Sequence, residues 1–313
     1  MNYLVTGGAG FLGSHLVDKL LEEDKENLVT IIVVDDFSMG KRGNLPFDPR
    51  LTVHKASILD PDIGKYFENI DVVFHLAALT RPQWSIEYPE ETNKVNVEGT
   101  VRVFLHARDN GVKRTVFASS SSLYGDNVCP TPEDVIPNPM SPYALQKLIG
   151  EQYAQLFEKI YSQEINCIRP FNIYGTRQNP KGSYAAAVPN FISYLIRGET
   201  PWITGDGEQS RDFIYVDDVV ELMILMSKCK EHGESFNAGS GKAVSINELY
   251  WTIASIMDKN VKPTYVPKVL EPDKTLADMS KVKRILNWKP KIDLVEGLQR
   301  TIEGTLDETK NRG

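Results

Sequence analysis

Tyr143 and Lys147 stand four positions apart in a segment whose apolar pattern predicts a helix over Pro142–Tyr161. This spacing places both side chains on one face of the helix. A phenol is a poor base at neutral pH, but an ammonium group one turn away stabilises its phenolate and lets it take the proton of an alcohol. Ser141 and Pro142 suit the N-cap and the first helical position. An interfacial tyrosine beside a solvated lysine would show the same spacing.

A run of serines, Ser119 to Ser122, follows an apolar strand predicted over Thr115–Ala118. Ligands of parallel sheets bind at the C-terminal ends of the strands. Hydroxyl groups at this point can therefore hold a reacting oxygen, which strengthens the interpretation of Tyr143 as a base acting on an alcohol.

Three glycines, Gly7, Gly10 and Gly13, lie directly between the apolar strand Tyr3–Val5 and the first helical pattern. The first permits a tight turn, the second lets backbone N–H groups approach a pyrophosphate, and the third allows close packing of helix on strand. The positive end of the helix favours the pyrophosphate. An ordinary strand-to-helix turn could carry the same glycines, so the motif needs a second element.

Asp35 supplies that element at the end of the second predicted strand, Thr30–Val34. A carboxylate about 20 residues after the glycines accepts hydrogen bonds from the adenosine ribose. Because it would repel a 2′-phosphate, the predicted cofactor is NAD rather than NADP. Lys41 and Arg42 lie close enough in sequence to form a phosphate pocket, which keeps NADP as the alternative.

Composition narrows the class of protein. The formal net charge of −7 argues against a general nucleic-acid or membrane partner. No apolar run approaches the roughly 20 residues of a membrane-spanning helix, and the N-terminus has no signal-peptide pattern. Cys129, Cys167 and Cys229 match no disulfide or metal-site spacing. We expect a cytoplasmic protein with no metal.

The elements that position these motifs alternate between strand and helix up to Pro170. This alternation predicts an α/β fold, a Rossmann-type doubly wound parallel sheet, over residues 1–170. Residues 171–313 are predicted to form mainly a smaller mixed α/β substrate-binding lobe, with some segments returning to the sheet. Helices are predicted at Asn93–Arg108, Pro142–Tyr161, Val188–Arg197, Val216–Cys229, Ser245–Met257 and Ser280–Leu286.

With these motifs in this order, the sequence resembles the extended short-chain dehydrogenases/reductases, and within them the nucleotide-sugar epimerases and dehydratases. The resemblance spans nearly the whole chain. Further matching segments are His75–Ala78, Asn96–Thr100, Ala118–Gly125, Arg169–Gly175, Gly205–Glu208 and Arg211–Phe213.

The resemblance implies roles for individual residues. Tyr143 is the implied base, Lys147 adjusts its pKa and contacts the ribose, and Ser120 orients the sugar hydroxyl. The implied contacts of NAD are Gly7, Gly10, Phe11, Leu12, Gly13, Asp35, Asp36, Lys41, Ile58, Leu76, Ala77, Ala78, Asn96, Tyr143, Lys147 and Phe171. The implied contacts of a UDP-sugar substrate are Ser120, Ser121, Tyr143, Asn172, Val188, Arg211, Lys268 and Thr275.

Two of the substrate positions depart from the family pattern. Lys268 stands where a second phosphate-binding arginine is common, which keeps the charge but not the two-pronged geometry. Thr275 stands where a bulky tyrosine resembles enzymes restricted to UDP-glucose and UDP-galactose. The smaller threonine leaves room for an acetamido group, so the resemblance implies activity on both plain and N-acetylated sugars.

The branch of the family follows from residues that are missing. The 4,6-dehydratases carry an Asp-Glu pair immediately after the catalytic hydroxyl residue, where this chain has Ser121 and Ser122. Neither serine titrates usefully, which disfavours elimination. The resemblance then implies 4-epimerisation of a UDP-hexose through a 4-keto intermediate. Arg81 could instead approach a substrate carboxylate, so a UDP-glucuronate decarboxylase or uronate epimerase stays the alternative, with another dehydratase or reductase of the family behind it.

The family often dimerises through two helices of each chain. In this sequence they fall at about Val95–Arg108 and Tyr143–Tyr161, and the resemblance implies a homodimer joined by a four-helix bundle.

Overall fold

The computed structural model describes residues 1–26, 28–180, 186–269 and 271–310. The strands in these ranges are β1 (Asn2–Thr6), β2 (Thr30–Asp35), β3 (Leu51–Lys55), β4 (Val72–His75), β5 (Arg114–Ala118), β6 (Glu164–Pro170), β7 (Asn172–Tyr174), β8 (Trp202–Thr204), β9 (Ser210–Tyr215), β10 (Ser235–Ala238), β11 (Ala243–Ser245) and β12 (Thr264–Val266).

The α-helices of the same ranges are α1 (Phe11–Glu23), α2 (Pro82–Glu87), α3 (Pro89–Asn93), α4 (Thr100–Asp109), α5 (Pro142–Tyr161), α6 (Ala187–Arg197), α7 (Val216–Lys228), α8 (Ile246–Ile256), α9 (Ser280–Leu286) and α10 (Leu294–Lys310). A π-helical stretch, Lys94–Gly99, joins α3 to α4.

The main sheet has seven strands in the order β10-β6-β5-β4-β1-β2-β3. Strands β1 to β6 pair in parallel. Their order is that of a doubly wound dinucleotide-binding sheet, which reverses direction between β1 and β4 and opens a crevice there at the carboxyl ends. The predicted fold class is confirmed.

Strands β4 and β5 are buried along their whole length. This pattern is expected for parallel strands that are covered by helices on both faces. Phe104 of α4 packs against Phe117 of β5 and Phe157 of α5, and all three belong to one apolar cluster. Gly150 of α5 also lies against the Phe117 ring. The packing fixes α5, which carries Tyr143 and Lys147, against the strand that leads into the serine run.

The chain divides into two compact units. One consists of residues Met1–Leu123, Pro139–Arg169 and Val220–Phe236, and the other of Tyr124–Asn138, Pro170–Val219 and Asn237–Gly313. The second unit contains a three-stranded sheet in the order β11-β9-β7 and the parallel pair β12-β8. Strand β9 pairs in parallel with β7 and antiparallel with β11.

Several helical segments differ from the expectation. The π stretch interrupts the helix predicted over Asn93–Arg108, and α2, α3 and α10 were not predicted. A signal for α10 was present, because Asp293 and Glu296 have the spacing of a capping box. Asp293 Oδ1 accepts a hydrogen bond from the Glu296 N–H at 3.0 Å.

No helix of the described ranges is long and apolar enough to cross a membrane. The three cysteines are all free thiols, of which Cys167 is buried. Within the same ranges, no group of three or more His, Cys, Asp or Glu side chains is placed to hold a metal ion.

A fully buried imidazole joins the carboxyl ends of β1 and β4. The Thr100 hydroxyl donates to the Asn96 carbonyl at 2.7 Å, so it accepts from His75 Nε2 at 3.0 Å. The Thr6 hydroxyl therefore donates to His75 Nδ1 at 2.8 Å. Burial, together with the charge of Lys147, lowers the pKa of His75 to about 3.

This lowered pKa predicts a pH dependence of stability. Between pH 6.5, the ordinary value, and about 3, the unfolded chain binds a proton that the folded chain excludes. Stability contributed by His75 is therefore complete above the ordinary pKa and falls by up to about 1.4 kcal/mol per pH unit below it. We expect the free energy of unfolding, measured in urea between pH 6.5 and 4, to depend less on pH in His75→Gln than in the wild type.

His232→Gln is the matched control, because His232 lies at the surface in contact with Glu158. His232→Gln should leave the pH dependence that His75 gives to the free energy of unfolding unchanged. A slope that is the same in His75→Gln as in the wild type would contradict the assignment.

Candidate active site

The turn between β1 and α1 has no room for a side chain at Gly7 or at Gly13. A Cβ on Gly7, whose φ is +71°, would lie 2.7 Å from the Ala77 backbone nitrogen, and one on Gly13 would lie 2.3 Å from the Gly7 carbonyl oxygen. No side chain of the described ranges caps the N-terminus of α1 at Gly10. The first N–H groups of α1, at Phe11, Leu12 and Gly13, are thus available to a diphosphate.

Asp35 lies at the carboxyl end of β2 with both carboxylate oxygens engaged. They accept hydrogen bonds from the N–H groups of Ala9 and Phe37 at 2.9 and 2.8 Å. Burial raises the pKa of Asp35, and the two hydrogen bonds oppose that rise. They hold the carboxylate beside the glycine turn, and its remaining lone pairs suit the ribose hydroxyls.

The neighbouring charges favour NAD. Arg42 donates to the Leu45 carbonyl at 3.0 Å and lies 4.8 Å from the centre of the Phe47 ring. Lys41 is exposed, and its N–H donates to the Ala9 carbonyl at 3.0 Å. Asp36 is also exposed and adds a second negative charge. A 2′-phosphate would meet two carboxylates, with one of the two candidate cations already occupied.

The loop after β4 packs against the end of β1 and the glycine turn. The Leu76 N–H donates to the Thr6 carbonyl at 3.1 Å, and the Ala77 backbone approaches Gly7. Asn96 then binds both the N–H and the C=O of Leu79, which follows Ala78, at 2.8 and 2.9 Å.

Two further predicted cofactor contacts are buried. Ile58 packs where Gly99 leaves space, since a Cβ there would lie 2.4 Å from the Ile58 Cδ1 atom. Phe171, in the second unit, donates its N–H to the Ala238 carbonyl at 2.9 Å.

Ser120, Tyr143 and Lys147 come together in the first unit. Ser141 caps α5 through a bond from the Ala144 N–H at 3.2 Å, which places Tyr143 in the first turn, as predicted. The Tyr143 phenol lies near the Ser120 side chain, whose hydrogen-bonding lowers the pKa of the phenol. Lys147 Nζ donates to the Ala118 carbonyl at 2.7 Å and lies 5.9 Å from the centre of the Tyr143 ring.

Burial opposes the charged form of both titratable groups. It raises the pKa of Tyr143 to about 12, against the hydrogen bond with Ser120. It lowers the pKa of Lys147 to about 7, against the negative charge of Glu151. Burial therefore favours the neutral phenol and the neutral amine more than water does.

The serine run is ordered by its own hydrogen bonds. Ser120 Oγ accepts from the Ser122 N–H at 3.1 Å and from the Ser122 hydroxyl at 2.9 Å. Ser121 begins the short 3₁₀ turn, Ser121–Tyr124, that follows. The turn fixes Ser120 at the carboxyl end of β5.

In the second unit, Asn172, Arg211 and Thr275 gather around β9. Asn172 Nδ2 donates to the Asp212 carbonyl at 3.2 Å, and the Thr275 N–H donates to the Ser210 carbonyl at 3.0 Å. The guanidinium of Arg211 is largely buried and pairs with Glu271 at 2.7 Å.

Asp212 holds the segment that carries Thr275. Its buried carboxylate accepts from the Ser240 hydroxyl at 2.7 Å and from the Ala277 N–H at 3.1 Å. The Thr275 Oγ1 atom is buried and has no hydrogen-bond partner among the described residues. A hydroxyl without a partner is suited to a polar ligand.

The two remaining predicted substrate residues differ in exposure. Lys268 is exposed and forms an ion pair with Asp273, while Val188 is buried within α6. Neither gives the second unit another buried cation, so Arg211 is its strongest candidate for binding a diphosphate.

Sequence patterns missed two polar side chains that join α5 to another segment. Ser85 and Gln146 are both buried, and each makes a hydrogen bond between α5 and the segment between β4 and α4. The sequence carried no signal for either, because the contacts join residues more than 50 positions apart.

Comparison with known proteins finds the family that the sequence motifs resemble. A model of the NAD dependent epimerase/dehydratase family matches residues 3–239. A protein described as a putative UDP-glucose 4-epimerase from Methanocaldococcus jannaschii is 37% identical, with 96% of each chain covered. A UDP-glucuronic acid decarboxylase of Arabidopsis thaliana is 31% identical over all of this chain and 72% of its own.

Two solved structures superpose closely. One is a UDP-glucose 4-epimerase from Thermotoga maritima with UDP-glucose, with a TM-score of 0.93 and 38% identity over 99% of this chain and 100% of its own. The other is a UDP-N-acetylglucosamine 4-epimerase from Methanobrevibacter ruminantium in complex with UDP-N-acetylmuramic acid, with a TM-score of 0.94 and 35% identity over 98% of each chain.

Gly7 allows a direct test of whether the glycine turn binds NAD. Gly7→Ala would place a methyl group against the Ala77 backbone, so we expect loss of NAD binding measured by calorimetry. Gly111→Ala is the matched control, because Gly111 has a similar φ of +67° with nothing within 4 Å of an added Cβ. Both variants carry the strain of a positive φ, about 1–2 kcal/mol. Equal NAD affinity in the two variants would exclude a role for the close approach at Gly7.

Proposed function

The chain belongs to the NAD-dependent epimerase/dehydratase family, and on that premise we propose that it interconverts the C4 epimers of a UDP-hexose. The observation that carries the proposal is the buried group of Ser120, Tyr143 and Lys147, next to two serines that cannot act as a second acid and base. Such a site can move one proton to and from a sugar hydroxyl but has no carboxyl pair for eliminating water.

The proposed steps on the protein are few. The Ser120 hydroxyl orients the C4 hydroxyl, and Tyr143 Oη takes its proton and later returns it to the opposite epimer. Lys147 stabilises the phenolate form of Tyr143, which burial alone would disfavour. When bound, NAD supplies a reversible hydride acceptor, and its positive charge adds to that of Lys147.

The nucleotide end of the substrate is assigned to the second unit. Arg211 offers a planar set of donors that suits a diphosphate, and Asn172 is anchored beside it through the Asp212 carbonyl. The diphosphate would replace the carboxylate of Glu271 as the partner of Arg211. Firm binding at the diphosphate would leave the sugar itself free to turn over between the two proton transfers.

Thr275 supports a wider choice of sugar. It is small, and its buried hydroxyl has no partner in the described part of the chain. An acetamido group could use both the space and the hydroxyl. We therefore propose that N-acetylated UDP-sugars are substrates together with the plain pair, since added space seldom excludes the smaller sugar.

The homodimer implied by the resemblance stays a prediction, to be tested by the mass of the chain in solution. Its expected surface on α5 is apolar, with Leu145, Leu156 and Ile160 exposed.

The proposed activity is tested without added cofactor. The purified chain is incubated separately with UDP-galactose, UDP-N-acetylgalactosamine and UDP-glucuronate, and the anomeric and C4 protons are followed by NMR. We expect conversion of the first two to the gluco epimers. Tyr143→Phe should reduce the rate at least about 10²-fold, because it removes the proton acceptor. Tyr153→Phe, a hydroxyl deletion on the same helix, should retain activity.

Release of carbon dioxide from UDP-glucuronate, without interconversion of the other two sugars, would replace the proposal with the decarboxylase alternative. Conversion of UDP-galactose alone would overturn the argument from Thr275 and leave the 4-epimerase in place.

A further inference from the structure

We propose that Ser85 is a positioning residue for Tyr143. Ser85 lies in α2, and its side chain holds the backbone of Tyr143. The inference rests on the proposed role of Tyr143 as the base. It concerns how that base is kept in place, and not which sugar it acts on.

The first turn of α5 leaves one N–H group for a distant partner. Pro142 has no N–H, the Ala144 N–H is bound by the Ser141 side chain, and the Leu145 N–H donates to the Ser141 carbonyl at 3.0 Å. The Tyr143 N–H donates to Ser85 Oγ at 2.9 Å, across 58 positions of the chain. Ser85 therefore completes the cap of the helix at the position of the base itself.

The hydroxyl of Ser85 is oriented for this task. Ser85 is fully buried, and its hydroxyl donates to the Pro82 carbonyl at 2.5 Å. With its proton directed there, its oxygen presents a lone pair to Tyr143. A buried N–H without a partner is unfavourable, so removal of the hydroxyl should let the first turn of α5 move.

A second set of hydrogen bonds joins the segment between β4 and α4 to α5, at Gln146, one residue before Lys147. Gln146 Nε2 donates to Thr92 Oγ1 at 2.9 Å, and Gln146 Oε1 accepts from Asn96 Nδ2 at 2.8 Å. Asn96 also binds the backbone of Leu79, directly after the Ala77-Ala78 pair. The loop around Leu79 is thereby tied to α5 between Tyr143 and Lys147.

This arrangement has a consequence for catalysis. Because Ser85 contacts the backbone of Tyr143, its loss should displace Oη relative to Ser120 while leaving the diphosphate contacts untouched. Displacement of a reacting group by about 1 Å costs on the order of 10²-fold in rate. We expect a fall in kcat without a matching change in KM.

The test compares Ser85→Ala with Ser227→Ala in the full chain with bound NAD. Ser227 is also buried and also donates to the carbonyl three positions before it, at 2.7 Å. The readouts are kcat, KM, the melting temperature and amide hydrogen exchange at Tyr143. We expect Ser85→Ala to lower kcat about 10-fold to 100-fold with KM changed less than about two-fold, and to speed exchange at Tyr143. Ser227→Ala should do neither.

Two results would overturn the proposal. One is unchanged kcat and unchanged exchange at Tyr143 in Ser85→Ala. The other is an equal loss of kcat in both variants that follows their melting temperatures, which would make Ser85 merely structural. If the wild type converts no UDP-hexose, the proposed function fails, whereas exchange at Tyr143 still reports whether Ser85 holds its backbone.

Discussion

A phenol and an amine are buried beside each other at the start of α5, and the surrounding strands and loops hold them there. Away from water each group resists its charged form, which is why the pKa of Tyr143 rises to about 12 and that of Lys147 falls to about 7. Proton abstraction needs the opposite state, phenolate beside ammonium. In a poorly polarisable interior this state depends strongly on distance, so the two groups must be held with little freedom.

The fold provides that restraint from several directions. Strand β5 presents the Ala118 carbonyl to Lys147, and the same strand leads into the turn that orders Ser120. The neutral imidazole of His75 ties the end of β4 to β1, where the glycine turn begins. Buried polar networks of this kind specify one arrangement because every member has a partner. The helix that carries the base and the loop after β4 are also linked directly, through Gln146 and Asn96.

Local patterns predicted the parts of the molecule that depend on local physics. The cap and length of α5 and the bounds of α9 follow from side-chain spacing and turn residues, and both agree with the structure. Long-range partners were not predictable in this way. The pairing of Arg211 with Glu271 and the contact of Ser85 with Tyr143 join residues far apart in sequence, and neither residue type reveals its partner. The same limit applies to the assigned contacts of NAD and UDP-sugar, which stay predictions until a complex is solved.

In the proposed reaction Tyr143 removes a hydroxyl proton, while the hydrogen on C4 leaves and returns without entering water. The interconversion of UDP-galactose can be run in D₂O and the product analysed by NMR and mass spectrometry. We expect UDP-glucose with no deuterium on any ring carbon, because only the exchangeable hydroxyl proton passes through Tyr143. Deuterium at C4 or C5 of the product would contradict the proposed reaction, since that hydrogen would then have exchanged with solvent as a proton.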